Sequence, residues 1–309
     1  MRSFLTGVDG FIGSHLAEAL LLAGDEVFGL SRSQATRGDG VVRFHGDVVS
    51  FEAVRGAVAE AKPDRLFHLA AQNNIQASFA DPALTMQSNV TGSLNVFEAV
   101  RRSAPSAALV SVGSSAEYGQ TAATTTALGE DVPLLPTSPY GVSKVAQGLL
   151  SRVYADVHRL RAVHVRPFAI IGPRKTKDAL SDFCRNVVAL ERGETDRFPV
   201  GPLGSERDFV DVRDFVSALV LISERGAAGG VYNACNGVGV RLDALVAALQ
   251  RSSRRPFEPV ADPSRLRAAD DSRIIGDATR IRTLGYAPRF SLEQTIAATL
   301  EYWRAQPTT

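Results

Sequence analysis

Gly7, Gly10 and Gly13 stand at three-residue intervals directly after a short apolar run, Arg2-Ser3-Phe4-Leu5-Thr6, and they open an amphipathic stretch from Phe11 to Leu22. An extended run that meets glycine and then helical spacing is a strand–turn–helix unit. The pattern then repeats. Strands are expected at Ser3–Thr6, Glu26–Leu30, Val41–His45, Arg65–His68, Ala107–Val112 and Ala162–Arg166, with helices at Phe11–Leu22, Ser50–Ala61, Leu84–Ser103 and Pro139–His158. Short strands joined by helices give a parallel sheet covered on both faces, so the fold expected for residues 1–167 is α/β, a doubly wound Rossmann sheet.

The texture changes after Pro167. Gly172-Pro173, Pro199, Gly201-Pro202 and Gly204 interrupt the chain, and helices at Leu180–Arg192, Val212–Glu224, Leu242–Arg251 and Leu292–Ala305 then flank short strands such as Gly230–Ala234. Residues 168–309 are therefore expected to form a smaller C-terminal α/β lobe for substrate, with segments exchanged between the lobes. Thr121–Ala127 reads as a polar, mobile loop.

Composition excludes several classes. A net charge of +1 gives no footprint for nucleic acid or an anionic membrane. With only Cys184 and Cys235, neither a disulfide framework nor a cysteine-based metal site can be built, and His15, His45, His68, His158 and His164 lack ligand spacing. Met1 leads straight into a strand and no apolar run is long enough to span a membrane, so a cytoplasmic protein is expected.

Two motifs carry chemistry. The glycine turn lets backbone approach a pyrophosphate, which would sit on the N-terminus of the following helix. Far downstream, Tyr140 and Lys144 in Ser138-Pro139-Tyr140-Gly141-Val142-Ser143-Lys144 share one helix face. An ammonium there can lower the pKa of the phenol and make it a proton donor and acceptor.

Spaced as Gly-x-x-Gly-x-x-Gly and followed by this pair, the chain resembles the extended short-chain dehydrogenase/reductase superfamily. Asp47, the run His68-Leu69-Ala70-Ala71-Gln72 and Asn89-Val90-Thr91-Gly92 fall where that superfamily places them. The resemblance implies a dinucleotide held by Gly7, Gly10, Phe11, Ile12, Gly13, Ser31, Arg32, Asp47, Val48, Leu69, Ala70, Ala71, Asn89, Tyr140, Lys144 and Pro167. Relatives that use NAD end the second strand with an acid, where this chain has Ser31 followed by Arg32. A guanidinium can pair with a 2′-phosphate, so NADP (as NADPH) is the expected cofactor, with NAD as the alternative.

The same resemblance makes Ser114, Tyr140 and Lys144 the catalytic set. Arg207-Asp208-Phe209-Val210-Asp211-Val212-Arg213-Asp214 and Leu266-Arg267-Ala268-Ala269-Asp270 are similar to elements of the sugar-nucleotide branch. They imply substrate contacts from Arg207, Arg267 and Asp270, joined by Gln72, Ser115, Glu117 and Arg174. Dehydratases of that branch carry acids at the two positions after the catalytic serine. Ser115 and Ala116 stand there instead, and Glu117, one place further on an extended segment, would face away.

Within the branch the stretches Val112–Gly119, Ser138–Gln147, Val165–Gly172 and Asp262–Arg267 resemble the reductases of GDP-linked 4-keto-6-deoxyhexoses. Ala169 departs from the asparagine of relatives, and Asn73 and Asn74 are unusual beside Gln72. The implied reaction is NADPH-dependent reduction of such a sugar nucleotide. A 4-epimerase holding NAD, a 4,6-dehydratase and a non-catalytic dinucleotide-binding regulator are the competing readings. A homodimer paired through the Leu84–Ser103 and Pro139–His158 helices is also implied.

Overall fold

The computed structural model describes residues 1–33, 38–265 and 273–307. Its first strands are β1 (Arg2–Thr6), β2 (Glu26–Ser31), β3 (Val42–His45), β4 (Arg65–His68), β5 (Ala108–Val112) and β6 (Arg161–Pro167). Then come β7 (Ala169–Ile171), β8 (Phe198–Val200), β9 (Glu206–Asp211), β10 (Val231–Ala234), β11 (Gly239–Arg241), β12 (Pro259–Ala261) and β13 (Arg273–Ile274). Seven strands form one sheet in the order β10-β6-β5-β4-β1-β2-β3. Every pairing in it is parallel. The expected doubly wound Rossmann sheet is therefore present, and β10, from far along the chain, extends it beyond β6.

The helices are α1 (Phe11–Leu22), α2 (Phe51–Ala61), α3 (Ile75–Ala80), α4 (Pro82–Met86), α5 (Gly92–Ser103), α6 (Thr121–Thr124) and α7 (Pro139–His158). Beyond them lie α8 (Ala179–Glu191), α9 (Val212–Arg225), α10 (Leu242–Ser252), α11 (Thr279–Thr283) and α12 (Leu292–Ala305). Successive strand residues feed opposite cores, as the pleat demands. Leu5, Phe67 and Val110 pack beside Leu16 and Leu20 of α1 and Phe215 and Leu219 of α9. Their neighbours Phe4, Leu66 and Leu109 pack beside Val58 of α2 and Val96, Phe97 and Val100 of α5. Each such side chain contributes about 1.5–3 kcal/mol by leaving water. A third core, with Leu180, Phe183, Phe198, Leu249 and Ile296, holds α8, α10 and α12 on the smaller sheets.

Two expectations are corrected. The helix expected over Leu84–Ser103 is three pieces: α4 starts on Pro82, a π turn follows over Gln87–Thr91, and α5 takes over at Gly92. The extra residue of the π turn carries Asn89 inward, where it is 1% exposed. Thr121–Ala127 is not all loop, because α6 forms there with Thr121 and Ala122 buried.

Candidate active site

The strand order reverses between β1 and β4, which opens a crevice at their C-terminal ends. A groove of about 640 Å³ runs there, floored by Gly7, Gly10, Phe11, Ile12 and Gly13. Gly7 turns at φ +72, and a Cβ on it would lie 2.9 Å from the Ala70 amide nitrogen. Helix α1 has no side-chain cap and no acid in its first turn. Its leading N–H groups are thus open to a phosphate, whereas Ser50 caps α2 and Ser138 caps α7. Bare backbone, a helix N-terminus and an unfilled glycine cradle fit the pyrophosphate of a dinucleotide.

At one end the groove is lined by Ser31, Arg32, Asp47 and Val48. Arg32 lies exposed on the rim. The buried Ser31 hydroxyl donates to the carboxylate of Asp9, whose other oxygen accepts from Arg43 Nε at 3.1 Å. Arg43 also clamps Asp39 through two 2.7 Å bonds, which hold that carboxyl down at about 2. Asp9 and Arg43 are absent from the expected site. The signal was there, since a carboxylate within a glycine turn is unusual company for a phosphate.

The opposite wall is Leu69, Ala70, Ala71 and Gln72, with Val112 behind. Asn89 fixes this strip. Its side chain accepts from the Gln72 amide (2.7 Å) and donates to the Gln72 carbonyl and to Ser143 Oγ, both at 2.9 Å. Below it His68 bridges Thr6 and Ser93 at 2.8 and 2.9 Å. Burial pushes this imidazole down to about 3, and the charge of Lys144 acts in the same direction, so it stays neutral.

The three residues expected to be catalytic meet at the end of β5. Ser114 caps a 3₁₀ turn, Ser115–Glu117, and Tyr140 stands in the first turn of α7 behind Ser138 and Pro139. The two pieces touch closely at Gly141, where a Cβ would come within 2.6 Å of the Ala116 carbonyl oxygen. That approach allows the Ser114 hydroxyl to hydrogen-bond the Tyr140 phenol. Lys144, one turn along, is buried and donates to the Val112 carbonyl and to Gln147 Oε1, both at 2.8 Å. Its Nζ is 5.9 Å from the centroid of the Tyr140 ring.

Electrostatics correct one expectation. Burial pushes the Tyr140 hydroxyl up to about 12, and the Ser114 hydrogen bond only partly opposes it. Burial also brings Lys144 down to about 8 against the pull of the Glu117 charge. In the protein alone burial prevails, with the Glu117 charge acting in the same direction, and Tyr140 is a phenol throughout the neutral range.

The residues expected to meet substrate are scattered. Gln72 lines the groove and Ser115 is half-buried beside Ser114. Glu117 is corrected: it is neither solvent-facing nor groove-facing but 0% exposed, because the 3₁₀ turn rotates it inward. Its oxygens take His164 Nε2 (3.0 Å), Arg166 Nε (2.8 Å) and the Ser114 amide (2.9 Å). Burial raises this carboxyl, but those donors outweigh burial and hold it below its ordinary value. Arg174 does not line the groove itself: it pairs with Glu18 of α1 at 2.7 Å and lines a hollow that adjoins the groove at Asp9, Gly10 and Phe11. Arg207 sits half-buried on β9 with Nη1 on the Glu206 carbonyl, and it does not line the groove. Pro167 ends β6 opposite Ala234. Arg267 and Asp270 lie outside the described residues.

Comparison with known proteins agrees with this geometry. Residues 4–299 match the GDP-mannose 4,6 dehydratase family. The chain is 31% identical over 308 residues to the GDP-6-deoxy-D-mannose reductase of Pseudomonas aeruginosa, covering 99% of this chain and 98% of that protein. Among solved structures it is similar to RMD of Pseudomonas aeruginosa complexed with NADPH, at 28% identity, TM-score 0.86 and 99% coverage of both chains. It is equally similar to the UDP-glucose 4-epimerase of Thermus thermophilus complexed with NAD, again at 28%, 0.86 and 99% of both chains. The chain thus belongs to the GDP-mannose 4,6-dehydratase family, in the sugar-nucleotide branch of the extended short-chain dehydrogenases/reductases, and is an NAD(P)-dependent oxidoreductase.

Proposed function

We propose that this protein reduces a nucleotide-linked 4-keto-6-deoxyhexose, GDP-linked, to its 4-hydroxyl form with NADPH, in the cytoplasm. The observation that carries this reading is the buried phenol of Tyr140 beside Ser114 and Lys144, in a chain 31% identical to a GDP-6-deoxy-D-mannose reductase. Reduction needs a proton donor at the oxygen that becomes the hydroxyl, and Tyr140 is that donor. When bound, the nicotinamide supplies a hydride to C4. Tyr140 gives its proton to O4, Ser114 hydrogen-bonds that oxygen, and Lys144 provides the positive charge that favours the phenolate left behind. Solvent then returns the proton to Tyr140.

Ser115 and Ala116 stand where elimination would require acids, and Glu117 is turned away behind them, which disfavours the dehydratase reading. Cofactor choice rests on Arg32 and on the absence of a terminal acid in β2. One observation favours a second reading. Asp9, next to Ser31, is a carboxylate placed to accept a ribose hydroxyl, as a 4-epimerase holding NAD would use it.

A homodimer completes the proposal. Val142, Leu149, Val153 and Val157 are 44–67% exposed and line one stripe of α7, next to Leu94 of α5. A stripe this apolar fits a second copy of the same face.

Incubation with GDP-4-keto-6-deoxymannose tests the reaction. NADPH oxidation faster than NADH oxidation, with release of a 4-hydroxyl sugar, is expected. Tightly bound NAD in the purified protein, with no net oxidation of added cofactor, would favour the epimerase.

A further inference from the structure

Behind the catalytic lysine lies a buried polar chain. Lys144 has only donors, so the atom of Gln147 facing it at 2.8 Å is the acceptor Oε1. The amide nitrogen of Gln147 then faces Ser111 and donates to its Oγ at 3.0 Å. Ser111 Oγ in turn lies 3.3 Å from His164 Nδ1. On its other side His164 Nε2 donates to Glu117 Oε1 at 3.0 Å, because that carboxylate can only accept. The same oxygen takes the Ser114 amide, and Oε2 takes Arg166 Nε.

The chain is built into the core. Gln147, Ser111, His164 and Glu117 are each at most 1% exposed. Space for it comes from Gly113, where a Cβ would fall 2.1 Å from Glu117 Oε1 and 2.4 Å from His164 Nε2. One carboxylate thus governs both ends of the site, holding the backbone of Ser114 directly and the ammonium of Lys144 through three intermediaries.

We propose that Gln147 and Glu117, joined through Ser111 and His164, are positioning residues that orient Lys144 and keep it in its ammonium form. This rests on the reading of Lys144 as the catalytic lysine. The groups that face Lys144 are Tyr140 on its own helix, His68 from β4 and Glu117 from the 3₁₀ turn, with His164 and Arg166 of β6 behind Glu117. Glu117 is the one anion among them.

The sign follows from the last acceptor. Q147L removes it and favours the neutral amine, while Q147E sets a carboxylate there and favours the ammonium. E117Q acts in the direction of Q147L, but it strips Arg166 of its buried partner and can unfold the protein. The decisive variants are therefore at Gln147. Full-length protein carrying ¹³Cε-lysine has only Lys62, Lys144, Lys175 and Lys177 to observe, and K144M assigns the signal.

The expected Lys144 titration midpoint is about 8 in the parent. It should move down by about one pH unit in Q147L and up by about one in Q147E. Midpoints unmoved, or moved the same way in both variants, would overturn the proposal. The titration needs no substrate, so it stands or falls separately from the proposed reaction. In turnover, the alkaline limb of the pH profile should move in the same two directions.

Discussion

Tyr140 is suited to donate a proton because of what surrounds it: a buried phenol next to one serine hydroxyl, with the Lys144 ammonium 5.9 Å from its ring centroid. Y140F keeps the ring and removes the proton. Turnover should fall by about 10²–10⁴-fold while cofactor affinity, read by calorimetry, stays within about twofold. Lys144 sets the other limit, because its active ammonium is lost as pH rises through about 8. The rate should therefore decline on the alkaline side of that value in a buffered pH series. Tyr140 and Lys144 could be paired in the sequence because helical spacing puts them on one face, and Ser114 was added by the resemblance to the superfamily. Glu117 could not be placed, since the rotation that buries it comes from a 3₁₀ turn closed by its own capping bonds to Ser114. Arg174 was equally illegible, because its left-handed φ of +72 and its partner Glu18 depend on α1 packing beside it.

At the scale of elements, the site depends on how α7 is held against its neighbours. Gly141 lets α7 reach the 3₁₀ turn, and a methyl there meets backbone rather than a flexible side chain. G141A should displace Ser114 from Tyr140 and lower turnover by about tenfold to a hundredfold, with circular dichroism unchanged. The π turn serves the other side by aiming Asn89 at Gln72 and Ser143. N89L leaves those buried groups unpartnered and should cost about 2–4 kcal/mol in urea unfolding. Strands and long helices were legible because apolar periodicity follows burial directly. The π turn was not, since one extra residue per turn changes no residue type and only the inward demand for Asn89 reveals it.

At the scale of the molecule, two cores and the crevice follow from seven parallel strands with a single reversal of order, and a third core belongs to the smaller sheets. Sequence alternation made the sheet legible. The place of β10 beside β6 was not, because strand pairing over so long a separation leaves no local signal. Arg65 ties β4 to β1 and to the turn before β2 through Ser3 (2.8 Å) and Asp25 (2.8 Å). Burial raises the Asp25 carboxyl, but the bonds from Ser3 and Arg65 outweigh it and hold the group below its ordinary 3.8. Its contribution to stability is present above that ordinary value and is lost as pH falls through the depressed one. D25N should accordingly lower Tm at neutral pH and narrow its gap to the parent in strong acid. The exposed stripe of α7 carries a separate expectation: the parent should sediment as a dimer, and L149D combined with V153D should sediment as a monomer.

The central claim, a net transfer of hydride to C4, is tested most directly with NADPH deuterated at the transferable position of its nicotinamide. With GDP-4-keto-6-deoxymannose as substrate, mass spectrometry should find one deuterium at C4 of the released sugar for each cofactor oxidised. A turned-over sugar without deuterium, formed with no cofactor consumed, would contradict the reductase and establish a redox-neutral reaction.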